Sequence, residues 1–267
     1  SNEGIIITDS KTKIVSTNRA FSKITGYRQN EVIGKKTSIL NSGIHDKNFF
    51  ENMWESLKNH STWQGEIWNK RKNGEIYPAW LSIAKAVNPK YNEEFYIAIF
   101  TDITSLKEAD RKLHFHANYD ILTKLANRVQ FESHLKSTIE SCKRRNSKIA
   151  LFFIDLDKFK DVNDTYGHSI GDEMLKTLAK RLQESIRKED FIARLGGDEF
   201  VLIIKDVKDN DDMLALAHKI NENIKEPIVI VDKVFFMSLS IGISIFPDHG
   251  KDTEDLIKHS DAAMYEV

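Results

Sequence analysis

The chain has 267 residues, of which 40% are hydrophobic and 30% charged, a composition that predicts a globular protein of about two domains. Its 39 Lys and Arg residues balance 40 Asp and Glu residues, and a net charge of -1 excludes binding to nucleic acid or an anionic membrane through overall charge. The single cysteine, Cys142, excludes an internal disulfide, no charged-then-apolar leader begins the chain, and no apolar run approaches the roughly 18 residues that a membrane helix needs. We therefore expect a cytoplasmic protein with no membrane segment and no nucleic-acid partner.

Short strands dominate the first half of the chain. The β-branched run at residues 5–8 ends at a turn signal, and residues 13–15 follow as a second strand, which is typical of a hairpin. An Asn-Gly turn within residues 72–75 predicts another hairpin. These patterns predict an antiparallel sheet with helices to one side. The predicted elements are strands at 5–8, 13–15, 63–68, 76–86 and 95–100 and a helix at 49–57.

A charged helix is predicted at residues 104–116, between the two halves. Leu106 and Leu113 are seven positions apart, with charged residues around them. One interpretation is a solvated connecting helix, and the other is a short coiled-coil seam that pairs two chains. The seam covers too few heptads to decide between them.

Strands and helices alternate in the second half. A continuous apolar run at residues 149–154 is typical of a strand that is buried on both faces. Two glycines at 196 and 197 separate two further strands and predict a hairpin. The predicted elements are helices at 129–142, 171–186, 213–224 and 253–265 and strands at 149–154, 191–195, 199–204 and 234–245.

Carboxylates follow two of these predicted strand ends. Asp155 comes directly after the buried run, where a side chain can reach a ligand in the crevice beyond the strand. Asp198 and Glu199 follow the two glycines, which allow close approach of the backbone to a ligand. Two such sites suit Mg²⁺, which takes oxygen ligands and often binds substrate phosphate as well. For Asp155 alone, a strand-end turn of Asp residues is the simpler interpretation.

Polar groups that suit a nucleotide lie between these carboxylates. Lys160, beside glycine-containing turns, suits phosphate contacts. Asn163 and Asp172 offer hydrogen-bond acceptors. Guanine presents adjacent N1–H and N2–H₂ donors that a carboxylate can accept, and adenine lacks that pair, so these residues favour a guanine nucleotide.

Five ordered segments of the second half resemble the GGDEF family of diguanylate cyclases. A lone Gly-Gly-Asp-Glu-Phe motif is weak evidence, but five segments in the family's order are highly specific. The resemblance covers about residues 115–267 and implies a palm-like α/β domain with helices on the faces of a sheet. The segments are YDILTKLANR (119–128), FIDLDKFKDVNDTYGHSIGDEML (153–175), RLGGDEF (194–200), SIGISIFPDHG (240–250) and SDAAMY (260–265).

The resemblance also implies an activity, the condensation of two GTP into cyclic di-GMP with release of two pyrophosphates. Asp155 and Asp198 would ligate Mg²⁺ or Mn²⁺, helped by the backbone carbonyl of Leu156. Asp198, or Glu199 beside it, would help to deprotonate the attacking 3′-hydroxyl. Two domains would have to face each other as a homodimer, because each holds one GTP and the product is two-fold symmetric. The alternative is a catalytically silent module that binds GTP or cyclic di-GMP and controls a following phosphodiesterase domain or a partner.

Further roles in nucleotide binding come with the same resemblance. Backbone amides around Lys158 and Phe159, together with the Lys160 side chain, would hold phosphates. Asn163 and Asp172 would read guanine. His168 would lie close to the nucleoside.

A product site is implied by Arg187 and Asp190. This Arg-x-x-Asp pattern resembles, in sequence and in offset from the GGDEF signature, the family's inhibitory site for cyclic di-GMP. The chemistry fits, since an Arg fork can grip a phosphate or the Hoogsteen edge of guanine and Asp can accept from guanine donors. The alternative is a charged loop between a helix and a strand.

Two departures from the family pattern stand out. Lys124 occupies a position that is usually Gly, which we expect to be tolerated in a loop. The family continues after the Ala-Met-Tyr segment with a phosphate-binding Lys and then an Arg, and the sequence ends at Val267, before that Lys. We therefore expect the last helix to be incomplete and this chain to bind GTP more weakly than a full-length parent.

Five segments of the first half also form a recognisable set. They are NRAF (18–21), TGYRQNEVIG (25–34), NSGIHD (41–46), TWQGEIWNKRKNGE (62–75) and TDIT (101–104). Together they resemble PAS sensor domains over about residues 1–104. We therefore expect a PAS domain at 1–104, a signalling helix at 105–116 and a GGDEF domain at 117–267, an α+β protein overall.

The ligand of the PAS domain is left open by the sequence. His45 and His60 could ligate haem iron, although a surface or turn histidine is the simpler interpretation of each. Four tryptophans could line an FAD pocket, although core packing explains them more simply. Residues 1–104 contain no cysteine, which excludes cysteinyl-flavin photochemistry there. The four tryptophans are Trp54, Trp63, Trp68 and Trp80.

Overall fold

The computed structural model describes residues 2–89, 93–207 and 209–265 and contains two compact units, Ser1–Lys112 and Leu113–Val267. Both units combine helices with an antiparallel sheet, so the predicted α+β class is confirmed. Each unit is described by itself below.

The first unit is built on a five-stranded antiparallel sheet with short helices. Its elements are β1 Gly4–Asp9, β2 Ile14–Thr17, α1 Arg19–Thr25, α2 Gln29–Val32, a 3₁₀ helix Thr37–Leu40, α3 Lys47–His60, β3 Thr62–Lys70, β4 Ile76–Asn88, β5 Glu93–Asp102 and α4 Thr104–Asn118, which continues past Lys112. The strands of the sheet are in the order β2-β1-β5-β4-β3, and both predicted hairpins are present in it. Asn18 starts α1 by accepting a hydrogen bond from the Phe21 amide, and Gly26 ends it in the left-handed conformation.

The core of the first unit lies on one face of this sheet. Phe21, Tyr77 and Phe100 are fully buried, and the rings of Phe21 and Phe100 meet edge to face with centroids 6.2 Å apart. Helix α4 contributes no buried residue, and both Leu106 and Leu113 on it are exposed. The structure of one chain therefore fits both interpretations of this helix.

The second unit is built on a four-stranded antiparallel sheet and a separate two-stranded hairpin. Its elements are α5 Arg128–Arg145, β6 Ile149–Leu156, α6 Phe159–Tyr166, α7 His168–Ser185, β7 Phe191–Gly196, β8 Glu199–Lys205, α8 Asn210–Lys225, β9 Ile228–Ile230, β10 Lys233–Phe235, β11 Leu239–Phe246 and α9 Thr253–Tyr265. The four-stranded sheet has the order β11-β6-β8-β7, and β9 and β10 form the hairpin. Strand β6 is central, and it pairs with β11 on one side and with β8 on the other.

Two hydrophobic cores cover the opposite faces of this sheet. Ala150, Phe152 and Ile154 of β6 pack in a core with residues of α7 and α8, whereas Leu151 and Phe153 pack in the other core with residues of α5 and α9. Because both faces of β6 are buried, its sequence is apolar without alternation. This arrangement places the polar end of β6, at Asp155, at the rim of the sheet.

The prediction of one strand at 234–245 is wrong. The segment forms β10 and β11, separated by residues 236–238, and β9 precedes them as the partner of β10. Val231 and Asp232 join β9 to β10 with φ angles of 46° and 63°, a left-handed turn that a β-branched residue rarely adopts. The hairpin turn contains no glycine and lies in an apolar stretch, so the sequence pattern does not indicate it.

Among the described residues, none of the helices combines the length and the apolar character that crossing a bilayer requires.

Candidate active site at the end of strand β6

Asp155 lies one residue before the end of β6, half-buried at the rim of the sheet. Burial is the largest cause that raises the pKa of its carboxyl group, to about 6, and repulsion from Asp198, Glu199 and Asp157 adds to it. The structure therefore places several negative charges near Asp155. The two carboxylate groups that the sequence assigns to separate strand ends are thus close enough to repel each other.

The second carboxylate lies on the turn between β7 and β8. Gly197 and Asp198 form the turn, and Gly196 and Gly197 have φ angles of 149° and 52°, which favour glycine. Arg194 donates from Nε and Nη2 to the Gly197 carbonyl at 3.0 and 2.7 Å. Glu199 pairs with Arg128, with Nη2 and Oε2 3.3 Å apart. The turn is thus held from its backbone, and Asp198 on it is half-buried.

The fit of a divalent cation rests on the crowding of these carboxylates. Asp155 and Asp198 repel each other strongly enough to help raise a pKa, and a hard dication would relieve that repulsion with oxygen ligands. Within the described ranges, no group of three or more His, Cys, Asp or Glu side chains is arranged to hold a metal ion. The two carboxylates present, Asp155 and Asp198, offer oxygen donors, and Mg²⁺ is usually bound by one or two carboxylates and completes its coordination with water and substrate phosphate.

The segment after β6 presents backbone amides at the same rim. Lys158 is the N-cap residue of α6 and has a φ of 58°. Its side chain makes no capping hydrogen bond to the first turn of the helix. The amides of Phe159 and Lys160 therefore belong to the group of helix N-terminal donors that commonly bind phosphate. The Asp157 carboxylate is already hydrogen-bonded, because it accepts from the hydroxyls of Ser238 and Ser240 at 2.6 and 2.8 Å. Leu156, whose carbonyl was predicted to help hold the metal, is buried and pairs with Leu239 of β11.

The residues predicted to read guanine lie where α6 packs against α7. A Cβ added at Gly171 would overlap the Asn163 carboxamide and approach the Phe159 ring, so the glycine lets Asn163 lie directly against α7. Asp172 follows Gly171 and is exposed, as is His168 at the start of α7. The structure thus brings Asn163 beside the backbone that carries Asp172.

Arg187 and Asp190 lie at the other end of β7 from the Asp198 turn. Arg187 is exposed. The Asp190 carboxylate accepts hydrogen bonds from the backbone amides of Arg187 and Lys205 at 3.0 and 3.1 Å. The six residues of β7 separate this loop from the Asp198 turn, which at about 3.3 Å per residue is roughly 20 Å.

Three side chains that support the site have roles which the sequence did not reveal. Asp120 accepts a hydrogen bond from Arg194 at 2.9 Å, and Arg128 contacts Glu199. All three lie within segments that resemble the family, but nothing in their spacing shows that residues 74 and 71 positions apart form pairs. Lys124 has a φ of 63°, which explains why glycine is usual at that position and indicates a modest backbone strain here.

The first unit contains a cavity of about 320 Å³ between its sheet and its helices. Trp54 and Trp68 are among its lining residues, whereas Trp80 lies on the sheet with 48% of its surface exposed. His45 accepts a hydrogen bond at Nε2 from the Trp68 amide at 2.9 Å and stacks on Phe49. The His45 ring therefore has a structural partner at the nitrogen that could otherwise ligate iron.

Comparisons with known proteins identify relatives of both units. Over 162 residues the chain is 43% identical to the bifunctional diguanylate cyclase/cyclic di-GMP phosphodiesterase MucR of Pseudomonas aeruginosa, an alignment that covers 61% of this chain and 24% of MucR. Over 266 residues it is 29% identical to the cyclic di-GMP phosphodiesterase PdeR of Escherichia coli, which covers 99% of this chain and 40% of PdeR. The chain thus spans less than half the length of these relatives.

Solved structures show the same fold for the second unit. The GGDEF domain of TpbB from Pseudomonas aeruginosa superposes with a TM-score of 0.54 at 36% identity, covering 55% of this chain and 87% of that domain.

Two family models divide the chain between them. A PAS domain model matches residues 2–105, and a model described as diguanylate cyclase, GGDEF domain, matches residues 117–267. The second match covers more than half of the chain, and the segments predicted from the sequence to resemble the two families lie within these ranges. The chain therefore belongs to the GGDEF family, with a PAS domain preceding its GGDEF domain.

Proposed function

We propose that the chain is a PAS-regulated diguanylate cyclase, which condenses two GTP into cyclic di-GMP and two pyrophosphates in the cytoplasm. One observation carries the proposal: Asp155 and the Asp198 turn lie close enough at one rim of the sheet for their repulsion to help raise the pKa of Asp155 to about 6. Placing carboxylates so close together destabilises the protein unless a cation binds between them. A module that only binds a nucleotide does not need this arrangement, whereas phosphoryl-transfer sites use it to hold a metal ion.

The metal and the phosphates are assigned to neighbouring groups. Asp155 and Asp198 would hold Mg²⁺ or Mn²⁺ together with the Leu156 carbonyl, and the bound ion neutralises charge that develops at the α-phosphate. The amides of Phe159 and Lys160 at the start of α6 bind phosphate oxygens, and the Lys160 ammonium adds a positive charge beside them.

The reaction is an in-line attack of a 3′-hydroxyl on an α-phosphorus. A bond forms between the 3′-oxygen and phosphorus, the bond from phosphorus to pyrophosphate breaks, and the hydroxyl proton passes to a carboxylate of Asp198 or Glu199. Two such attacks release two pyrophosphates and close the ring. The Arg128 contact orients Glu199 for this role.

Base selection follows from the packing of α6 on α7. Asn163 and Asp172 accept from the N1–H and N2–H₂ donors of guanine, and His168 lies beside the nucleoside. With ATP these acceptors have no matching donors, which costs about 1–3 kcal/mol for each unmade buried hydrogen bond.

Two copies of the chain are needed for this chemistry. Each GGDEF domain holds one GTP, and a two-fold symmetric product forms when two half-sites face each other across a two-fold axis. We therefore propose that the active species is a homodimer.

A regulatory module without catalysis is the second candidate. The observation that favours it is the match to PdeR, a cyclic di-GMP phosphodiesterase, which extends over 99% of this chain. In that case the GGDEF domain binds GTP or cyclic di-GMP and controls a phosphodiesterase domain or partner.

The experiment that separates the two candidates is incubation of the full-length parent of this chain with GTP and Mg²⁺, followed by chromatography of the nucleotides. Formation of cyclic di-GMP and pyrophosphate supports the cyclase. Retention of GTP that is bound but unconverted supports the regulatory module.

Product inhibition is proposed at Arg187 and Asp190. The two backbone amides that Asp190 binds fix its carboxylate in the loop, and Arg187, whose amide is one of these donors, is exposed. Because this loop is at the far end of β7, cyclic di-GMP bound there inhibits by coupling between distinct sites rather than by competition with GTP.

The test of this site is the variant Arg187→Ala. We expect it to weaken binding of cyclic di-GMP at least about tenfold and to relieve product inhibition, because the guanidinium fork is lost, while the initial rate is unchanged. Calorimetric titration of cyclic di-GMP into the wild type, the variant and a neighbouring Lys188→Ala control measures it. Equal affinities for all three proteins would show that the loop has no such role.

A further inference from the structure

The end of α4 is hydrogen-bonded to the start of α5 through one side chain, Asn127. Its Oδ1 accepts from the Gln130 amide at 3.1 Å and so caps α5. Its Nδ2 donates to the Ala117 carbonyl at 2.9 Å and to the His116 carbonyl at 3.5 Å, in the last turn of α4. The Asn127 amide also donates to the Asn118 carbonyl at 2.9 Å. Asn127 therefore fixes the two helix ends relative to each other.

The residue before Asn127 belongs to the sheet that carries the active site. Ala126 forms a parallel bridge with Ala193 of β7, and its carbonyl accepts from the Arg194 amide at 2.9 Å. Both alanines are buried. A displacement of Asn127 is therefore passed directly to the outer strand of the hairpin that ends at Asp198.

Arg194 extends this connection to the catalytic turn. Its guanidinium binds the Gly197 carbonyl through two nitrogens and the Asp120 Oδ1 through the third. The Arg194 side chain is only 11% exposed and that of Asp120 22% exposed. Asp120 is itself fixed, since the same oxygen accepts from the amide and the hydroxyl of Thr123 at 2.8 and 2.6 Å. The Arg194 guanidinium thus positions the Asp198 turn, and Asp120, in the segment after α4, holds the guanidinium in place.

From these contacts we propose that Asn127 and Arg194 are positioning residues, which couple the end of α4 to the Asp198 turn. The proposal rests on the cyclase function proposed above. A movement of the last turn of α4 acts on Asn127, then on the pairing of Ala126 with β7, and finally on the turn held by Arg194. A small displacement is enough to matter, because misplacing a catalytic group by about 1 Å can reduce the rate about 100-fold.

The test uses a substitution that breaks only the connection to α4. In Asn127→Ser the hydroxyl still caps α5, but the donors to the α4 carbonyls are lost. The control is Asp209→Ser, which changes another capping side chain, the one that accepts from the Asp212 amide at the start of α8. Two readouts are measured: amide hydrogen exchange of residues 194–200, and kcat and KM for GTP.

We expect Asn127→Ser to raise amide exchange in residues 194–200, and to lower kcat, by about 2- to 30-fold, the range of couplings measured between linked sites. KM for GTP and the thermal midpoint should stay those of the Asp209→Ser control. Exchange and kcat that match the control would overturn the proposal.

A second variant tests the other end of the network. Arg194→Lys keeps the charge but loses the planar fork, so it cannot bind Gly197 and Asp120 together. We expect the same pattern of faster exchange in the turn and lower kcat at unchanged KM. Absence of cyclic di-GMP synthesis by the wild type would contradict the proposed function, whereas the exchange measurement still decides whether the coupling exists.

Discussion

At the level of single residues, the GGDEF domain separates its structural carboxylates from its reactive ones. Asp120 is paired with Arg194 and hydrogen-bonded by Thr123, and these contacts outweigh burial and hold its pKa below the usual value. Asp155 has no ion-pair partner among the described residues, and burial with nearby negative charge raises its pKa. The first kind of carboxylate stabilises the fold, and the second is available to bind a cation.

The contribution of Asp120 to stability should depend on pH. A folded-state pKa below the unfolded value gives a stabilisation that is complete above about pH 4 and is lost as the pH falls through the folded pKa. At pH 7 we expect Asp120→Asn to lower the free energy of unfolding by about 1–2 kcal/mol, since the pair is partly exposed. Urea unfolding at pH 7 and pH 3 measures it.

The matched control for this prediction is Asp248→Asn. The ion pair of Asp248 with Lys148 has a 2.6 Å separation but is 43% and 45% exposed, so its loss should cost less than about 1 kcal/mol. A difference between wild type and Asp120→Asn that is the same at pH 7 and pH 3 would contradict the account.

At the level of elements, the packing of α6 on α7 sets the position of Asn163, which we propose reads guanine. Gly171 lies inside α7, where glycine is usually unfavourable by about 1 kcal/mol relative to alanine. The structure offers a reason for it, because any larger residue displaces the Asn163 carboxamide.

Gly171→Ala should therefore separate nucleotide binding from stability. We expect KM for GTP to rise at least about fivefold, and the preference for GTP over ATP to fall, because Asn163 loses its position. Helix propensity compensates part of the steric cost, so the domain remains folded. Steady-state kinetics with both nucleotides measures this, with the exposed Glu173→Ala as the control. An unchanged KM and preference would show that Asn163 does not read the base.

The sequence predicts long, regular elements of this chain much better than short or bent ones. The apolar run of β6 and the Asn-Gly turn before β4 are each explained by one local rule. In contrast, α1, α2 and α6 have 7, 4 and 8 residues, too few for a helical period to be visible. The break between β10 and β11 is not visible in the sequence because Phe236 and Met237 continue the apolar character of β10 and neither Gly nor Pro marks the gap.

The candidate site shows the same limit. Asp155 and Asp198 could be proposed from the sequence because Asp155 follows a continuous apolar run and Asp198 follows two glycines. The pairing of Arg194 with Asp120 could not, because it joins residues 74 positions apart and depends on the folded sheet.

At the level of the whole molecule, the account requires two chains for one product. If the seam on α4 pairs them, Leu106 and Leu113, both exposed in one chain, become buried between two helices.

The rate of product formation should therefore depend on protein concentration. We expect the specific activity of the wild type to rise with concentration, and the double variant Leu106→Lys, Leu113→Lys to need at least about tenfold more protein for the same activity, because like charges would face each other in the seam. The control is Leu214→Lys, which changes an exposed leucine of α8. Sedimentation and rate measurements over the same concentrations test this. Identical curves for all three proteins would show that α4 is only a connecting helix.

The most direct test of the central claim is the initial rate of cyclic di-GMP synthesis by wild type and Asp198→Ala at saturating GTP and Mg²⁺. Asp198 is half-buried on a two-residue turn that is held from its backbone, so the variant should fold normally and lose at least about 100-fold in rate, as expected when a catalytic metal contact is removed. Asp206→Ala, at the opposite end of β8, should keep the wild-type rate. Synthesis by Asp198→Ala at close to the wild-type rate would contradict the account.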